Sequence, residues 1–360
     1  MTSIAVPLKE RTSPSPESVK SSHAELNRLW ARGREFFGAE IAIMGGAMTW
    51  VSERNLVAAI SNNGAFGVIA CGAMNPARLA EEIDATTALT DKPFGVNLIT
   101  MHPELEALID VCAEKKVGHV VLAGGLPRDT AISRIKASGA KVVCFAPGLV
   151  IAKKLVRMGV DALVIEGMEA GGHTGPVSTS VLAQEILPVI REIPVFVAGG
   201  IGRGEAIVSY LEMGAAGAQL GTRFVCATES IAHPKFKQAF LRAEARDASL
   251  SVQLDPRFPV IPVRAIANAG TRAFTEIQRQ VIAKVDQGLL DAKAAQLEIE
   301  HFWAGALRRA VIDGDVEHGS LMAGQSVGMV RAEQPVSEIL AELIAQAEAA
   351  LDRQREARRQ

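Results

Sequence analysis

Eight short apolar runs recur between residues 41 and 221, and they restrict the fold more than anything else in the chain. They are Ile41-Ala42-Ile43-Met44, Gly67-Val68-Ile69-Ala70, Phe94-Gly95-Val96-Asn97-Leu98, His119-Val120-Val121-Leu122-Ala123, Lys141-Val142-Val143-Cys144-Phe145, Ala162-Leu163-Val164-Ile165, Pro194-Val195-Phe196-Val197-Ala198 and Ala218-Gln219-Leu220-Gly221. The runs are continuous rather than alternating, as strands of a parallel sheet buried on both faces should be. They repeat about every 20–30 residues, the spacing that βα units require. The intervening segments carry helical stripes such as Leu105, Leu108, Ile109 and Cys112. Eight such units predict a TIM (β/α)8 barrel. A doubly wound sheet is the alternative, but it seldom needs eight evenly spaced units.

The chain of 360 residues, 48% hydrophobic, can bury a large core, enough for a barrel and an appended smaller unit. A net charge of −2, with no long basic stretch interleaved with aromatics, argues against a nucleic-acid partner. The four cysteines are scattered without metal or CxxC spacing, and they read as reduced, buried thiols of a cytoplasmic protein. No run of about 18 apolar residues predicts a membrane span. The polar start, with Thr12-Ser13-Pro14-Ser15-Pro16, lacks the apolar core of a secretory signal.

Barrel sites form where strands end, so the residues that follow each strand are the candidates. They are Gly45-Gly46-Ala47-Met48 after the first, Asn97 in the third, Glu166 and Gly167 to Gly175 after the sixth, Gly199-Gly200-Ile201-Gly202 after the seventh, and Gly221-Thr222 after the eighth. The last two loops suit a phosphate bound by backbone N–H groups and a helix N-terminus, the helix expected over Gly204 to Met213. The alternative is that these glycines serve only tight βα turns. His173, in Ala170-Gly171-Gly172-His173-Thr174-Gly175, has no His or Cys neighbour to share a metal. It reads as a general acid/base rather than a ligand. Glu169 on the same loop either orients the ring or is solvated. Among the other histidines, His119 begins a strand and is structural, His233 precedes Pro234 as a helix cap, and His318 is a weaker candidate for the site.

The remaining chain divides by pattern. Residues 1–38 form an arm and a short helix, 39–228 the barrel, 229–300 a small, mainly helical capping domain inserted after the eighth strand, and 301–360 a return to the barrel with a C-terminal helix. Within the cap, helices are expected over Phe236 to Ala245 and Arg272 to Lys284, separated by the Pro-rich stretch Asp255 to Pro262. Arg353, Arg355, Arg358 and Arg359 complement the dipole at the end of the last helix.

Three motifs taken together resemble the FMN-dependent nitronate monooxygenases, formerly 2-nitropropane dioxygenases, and the enoyl-ACP reductase II enzymes of the same superfamily. They are Glu166-Gly167-Met168-Glu169-Ala170-Gly171-Gly172-His173, Ala198-Gly199-Gly200-Ile201, and Gly221-Thr222-Arg223-Phe224 followed by Glu229-Ser230-Ile231-Ala232-His233-Pro234. The likeness runs from about residue 41 to 330. It implies an FMN-bearing barrel in which Gly199, Gly200, Gly221 and Thr222 hold the phosphate. Met48, Asn97, Glu166 and the Gly171–Gly172 backbone would surround the ring and ribityl chain, Gln325 would line the ring, and His173 would be the catalytic base or proton donor. The chain departs from the family in its first loop, where Gly45 stands at the usual glutamine position.

Two activities follow from the resemblance. The main reading is a nitronate monooxygenase that oxidises alkyl nitronates with O2. The alternative is an NAD(P)H-dependent reductase of enoyl thioesters. Met48-Thr49-Trp50, Ala232-His233-Pro234 and Ser320-Leu321-Met322-Ala323-Gly324-Gln325 lean towards the reductase branch. A landing patch for an acyl carrier protein would have to come from Arg242, Arg246, Arg257 and Arg264 in the cap. A phosphate-binding barrel without catalysis is the third reading, and His173 on its glycine loop argues against it. The resemblance leaves a homodimer open.

Overall fold

The computed structural model describes residues 16–257, 262–292, 294–295, 298–299 and 305–359. The eight apolar runs become eight parallel strands: β1 (Ile43–Gly45), β2 (Gly67–Ala70), β3 (Phe94–Ile99), β4 (His119–Ala123), β5 (Lys141–Phe145), β6 (Ala162–Glu166), β8 (Val195–Ala198) and β9 (Gly217–Leu220). A two-residue strand, β7 (Gly172–His173), lies outside this set. The sheet order is β1-β9-β8-β6-β5-β4-β3-β2, and a parallel bridge between Met44 and Phe66 joins its two ends. Gly45 N–H donates to Phe66 O at 2.8 Å and Phe66 N–H to Ile43 O at 2.9 Å, which closes the ring. The expected TIM barrel is present, with a helix following each strand.

The alternation of strand side chains explains why the runs are apolar throughout. In β4, Val121 points into the barrel while Val120 and Leu122 pack against the helices. The interior is filled by Met44, Phe66, Val68, Val121, Val143, Val164 and Phe196. Phe36 and Phe37, from the N-terminal helix Ala31–Phe37, plug its base. Phe37 stacks on Phe66 and Phe196, with ring centroids 4.3 and 4.4 Å away. His119 belongs to this plug. Its Nε2 lies 2.9 Å from Phe36 O, and burial lowers its pKa to about 4. It is structural, as expected for a residue at the start of a strand.

After β9 the chain leaves the repeat. The helices Pro234–Arg242 and Ala269–Asp286 occupy roughly the predicted positions, with ends shifted by a few residues. The stretch Asp255 to Pro262 falls partly outside the described residues. Phe274, Val281, Ala295 and Ile299 make a small core of their own. A second, three-stranded sheet lies here that the helical pattern of the cap does not predict. Strands β10 (Ala248–Leu250) and β11 (Val263–Ile266) pair antiparallel, and β11 also pairs with β7 in the loop after β6. The helix Val336–Arg359 returns to the barrel and buries Val336, Ile339, Leu340, Leu343 and Leu351. Among the described residues no helix is long and apolar enough to cross a membrane.

Candidate functional site

The C-terminal ends of the barrel strands surround a cavity of about 560 Å³. Its size is that of a small-molecule or cofactor site. Ten of the eleven site residues implied by the family resemblance line it: Met48, Asn97, Glu166, Gly171, Gly172, His173, Gly199, Gly200, Gly221 and Thr222. Gln325 does not, although its neighbours Gly324 and Ser326 do. Its backbone N–H instead donates to Glu169 O at 2.9 Å. No group of three or more His, Cys, Asp or Glu among the described residues could hold a metal.

Three polar side chains stand on the strands, and Thr49, His173, Thr222 and Ser326 add polar groups from the loops to a largely apolar wall. Asn97 is buried in β3, and its Nδ2–H donates to Val121 O at 3.0 Å. Glu166 is half-buried at the last position of β6 and accepts no hydrogen bond from another described residue. Desolvation without a compensating donor raises its pKa to about 8. Gln219, buried in β9, is a lining residue the sequence reading missed. The available signal was a lone amide within an apolar strand. The departure at Gly45 has a local account. A Cβ there would lie 2.5 Å from Ile60 Cδ1, on the outer side of the strand, whereas one on Gly46 would meet the Gln219 side chain at 3.2 Å. Position 45 therefore faces the helix layer, and Gln219 supplies the amide on the cavity side.

The glycine loops are required by the fold at close range. Gly200 has φ +71°, and a Cβ would sit 2.9 Å from Glu169 Cβ. A Cβ on Gly171 would lie 2.6 Å from the backbone of Ala323 and Gly324, so only glycine lets these two loops touch. The helix after the seventh barrel strand, Gly204–Glu212, contributes less than expected. Its Gly204 N–H donates to Gln346 Oε1 at 2.9 Å, and it does not line the cavity. The helix that opens at the cavity is the single turn Thr222–Val225, whose first N–H groups have no partner within the helix. Thr222 Oγ1 accepts from Gly324 N–H at 2.9 Å and fastens the Ser320–Gln325 loop to the rim.

His173 is exposed at the cavity, on strand rather than free loop. Its backbone pairs with Val263, Gly172 with Arg264, and Thr174 N–H donates to Pro262 O at 3.0 Å. Glu169 neither orients the ring nor is solvated. Its Oε2 accepts from Thr179 N–H at 2.9 Å and Thr179 Oγ1 at 2.8 Å, tying the loop to the helix Thr179–Ile186. The cap adds Phe236 to the wall and the return to the barrel adds Leu307 and Met322, none anticipated from sequence because each comes from a segment far along the chain.

Two further expectations change. His318 does not line the cavity; it is exposed and lies 3.4 Å from Asp315. His233 caps the helix Pro234–Arg242 as predicted, its Nδ1 accepting from Lys235 N–H at 3.1 Å. The four arginines do not make a common patch. Arg242 and Arg246 are exposed, Arg257 is paired with Asp255 and Asp286, and Arg264 is buried at 4% exposure.

The sequence profile of the nitronate monooxygenase family matches residues 32–108 and 104–346. A (3aS,4S,5R,7aS)-5-hydroxy-7a-methyl-1-oxo-octahydro-1H-indene-4-carboxyl-CoA dehydrogenase of Rhodococcus jostii is 29% identical, covering 82% of this chain and 89% of that protein. A nitronate monooxygenase of Paraburkholderia phytofirmans is also 29% identical, over 85% of this chain and 92% of that one. Among solved structures, FabK from Thermotoga maritima superposes with a TM-score of 0.82 at 33% identity, covering 91% of this chain and 98% of FabK. Nitroalkane oxidase from Streptomyces ansochromogenes gives 0.73 at 25% identity, covering 88% and 98%. The chain belongs to the nitronate monooxygenase family.

Proposed function

We propose that this protein is an FMN-dependent reductase of enoyl thioesters, of the enoyl reductase II type, with NAD(P)H as electron donor. This reverses the order of the two activities weighed from sequence. The observation that carries it is the composition of the cavity wall. A histidine fixed on a strand faces a cavity walled by Phe236 of the cap and by Leu307 and Met322 beyond it, with Met101 at 70% exposure on the β3 loop. That wall suits an acyl chain better than a small nitronate. The relatives point the same way: one is named as acting on a CoA thioester, and FabK is more similar in sequence than the nitroalkane oxidase.

The residues fit FMN. Gly199 and Gly200 line the cavity at φ +98° and +71°, a backbone path only glycine takes easily, and Gly221 and Thr222 present backbone beside them for the phosphate. Glu166, Asn97 and Met48 would flank the ribityl chain and ring. When bound, FMN supplies the hydride chemistry between nicotinamide and the β-carbon of the thioester. His173 donates the proton to the α-carbon, and the strand pairing of its backbone holds the imidazole in place. In this reading residues 39–228 form the FMN-holding barrel and 229–300 the substrate cap.

A nitronate monooxygenase is the second reading, favoured by the matching family profile and the Paraburkholderia relative. Anaerobic stopped-flow on FMN-loaded protein separates the two. NADH or NADPH should bleach the flavin, and crotonyl-CoA should restore its absorbance. Bleaching by propyl-2-nitronate, with neither nicotinamide effective, would establish the second reading instead.

A further inference from the structure

The sheet that carries His173 is held from behind by one buried arginine. Arg264 lies in β11 opposite Gly172, one position from the Val263–His173 pair. Its side chain is 4% exposed, and the carboxylate that acts on it, Glu169, makes no salt bridge with it among the described residues. Its Nε–H donates to Met168 O at 2.9 Å, and its Nη1–H donates to Ala248 O. Its own carbonyl accepts from Ala323 N–H at 3.3 Å. One residue thus joins the start of the His173 loop, the far strand of the small sheet and the loop that holds Met322. Burial lowers the pKa of Arg264 despite the opposing charge of Glu169, so holding a guanidinium here is costly, and an apolar side chain would fill the same space without that cost. The cost is met where the planar fork of donors fixes a geometry no other side chain can.

Strand alternation sets what Arg264 can do. Val263 and His173 share one face of the sheet, and Arg264 projects from the other. It therefore reaches the cavity only through the backbone it holds. We propose that Arg264 is a positioning residue for His173: by bridging Met168 O and Ala248 O it fixes the height and orientation of the imidazole over the cavity. The inference rests on the proposed role of His173 as proton donor, and its first test does not depend on that role.

The first test is hydrogen exchange of ligand-free protein. Arg264→Met should speed exchange at least tenfold in peptides covering residues 168–175, with the barrel peptide 119–145 unchanged. Unchanged protection of 168–175 would overturn the clamp. The second is a double-mutant cycle on FMN-loaded enzyme, reading flavin reoxidation by crotonyl-CoA. His173→Ala should cost about 10²–10⁴-fold in kcat, and Arg264→Met up to about 10²-fold through misplacement. The double variant should be no slower than His173→Ala alone, because a residue acting through His173 has nothing left to act on. Costs that multiply would overturn the proposal and leave Arg264 a packing residue. Arg264→Lys keeps the charge without the fork, should fall between, and carries both readouts if Arg264→Met does not fold. If crotonyl-CoA is no substrate, the proposed function falls while the exchange result still decides the clamp.

Discussion

At the end of β6 the Glu166 carboxyl borders the cavity without a donor among the described residues, and burial holds its pKa at about 8. The folded state therefore binds this proton more tightly than the unfolded chain, where the group titrates at its ordinary 4.5. The contribution of Glu166 to stability is fully present below that lower value and is lost as pH rises through about 8. Glu166→Gln keeps the shape and removes the titration. Ligand-free Glu166→Gln should lose less Tm between pH 5.5 and pH 9 than wild type, by on the order of several degrees. Equal losses, read by differential scanning fluorimetry, would mean that the carboxyl is solvated. At this scale the sequence was informative about identity and silent about environment. Glu166 and His173 stand out by their place after a strand, but nothing local says that one is desolvated and the other exposed.

The βα loops separate two kinds of glycine that look alike in sequence. Gly200 is held at φ +71° against Glu169 Cβ, whereas Gly221 has φ −109° and its Cβ would meet the Met48 side chain at an ordinary 3.5 Å. Gly200→Val should disrupt the loop and lower soluble yield, since the backbone conformation itself is disfavoured for a branched side chain. Gly221→Val should fold, with wild-type far-UV circular dichroism, and lose at least tenfold in FMN affinity because the new side chain projects where the phosphate would lie. Full flavin occupancy of Gly221→Val after gel filtration would remove this loop from the phosphate site. The strands were legible because their runs are apolar on both faces. Strand β7 was not, since two residues beginning with glycine carry no period, and its partner β11 lies about ninety residues further on.

Across the described residues, the helix Val336–Arg359 links the N-terminal helix Pro16–Leu29 to the barrel. Gln346 receives the Gly204 N–H, Arg223 pairs with Glu342, and His23 meets Glu348 at 2.8 Å on the N-terminal helix Pro16–Leu29. A Cβ on Gly204 would lie 2.1 Å from Leu343 O, so the two helices touch at backbone distance. Leu343 is 1% exposed at this contact. Leu343→Ala should cost about 2–5 kcal/mol of unfolding free energy, read as a lower urea midpoint with an unchanged m-value. A loss below about 1 kcal/mol, the size of a surface change, would show that the last helix does not support the barrel.

The sequence alone determined the barrel, because eight continuously apolar runs at regular spacing can be buried in few other ways. It also determined the set of loops at the mouth, because chain order fixes which residues follow each strand. Only the tertiary structure decided how that mouth is built. Gln219 faces the cavity because of barrel register, and Phe236, Leu307 and Met322 arrive from segments after the last strand. Gln325 turns away because its backbone is bonded to Glu169. Arg264 is buried beneath His173 because β11 pairs with β7. Each of these depends on contacts between residues far apart in the chain, and no local pattern of hydrophobicity encodes which distant backbone will close over which strand.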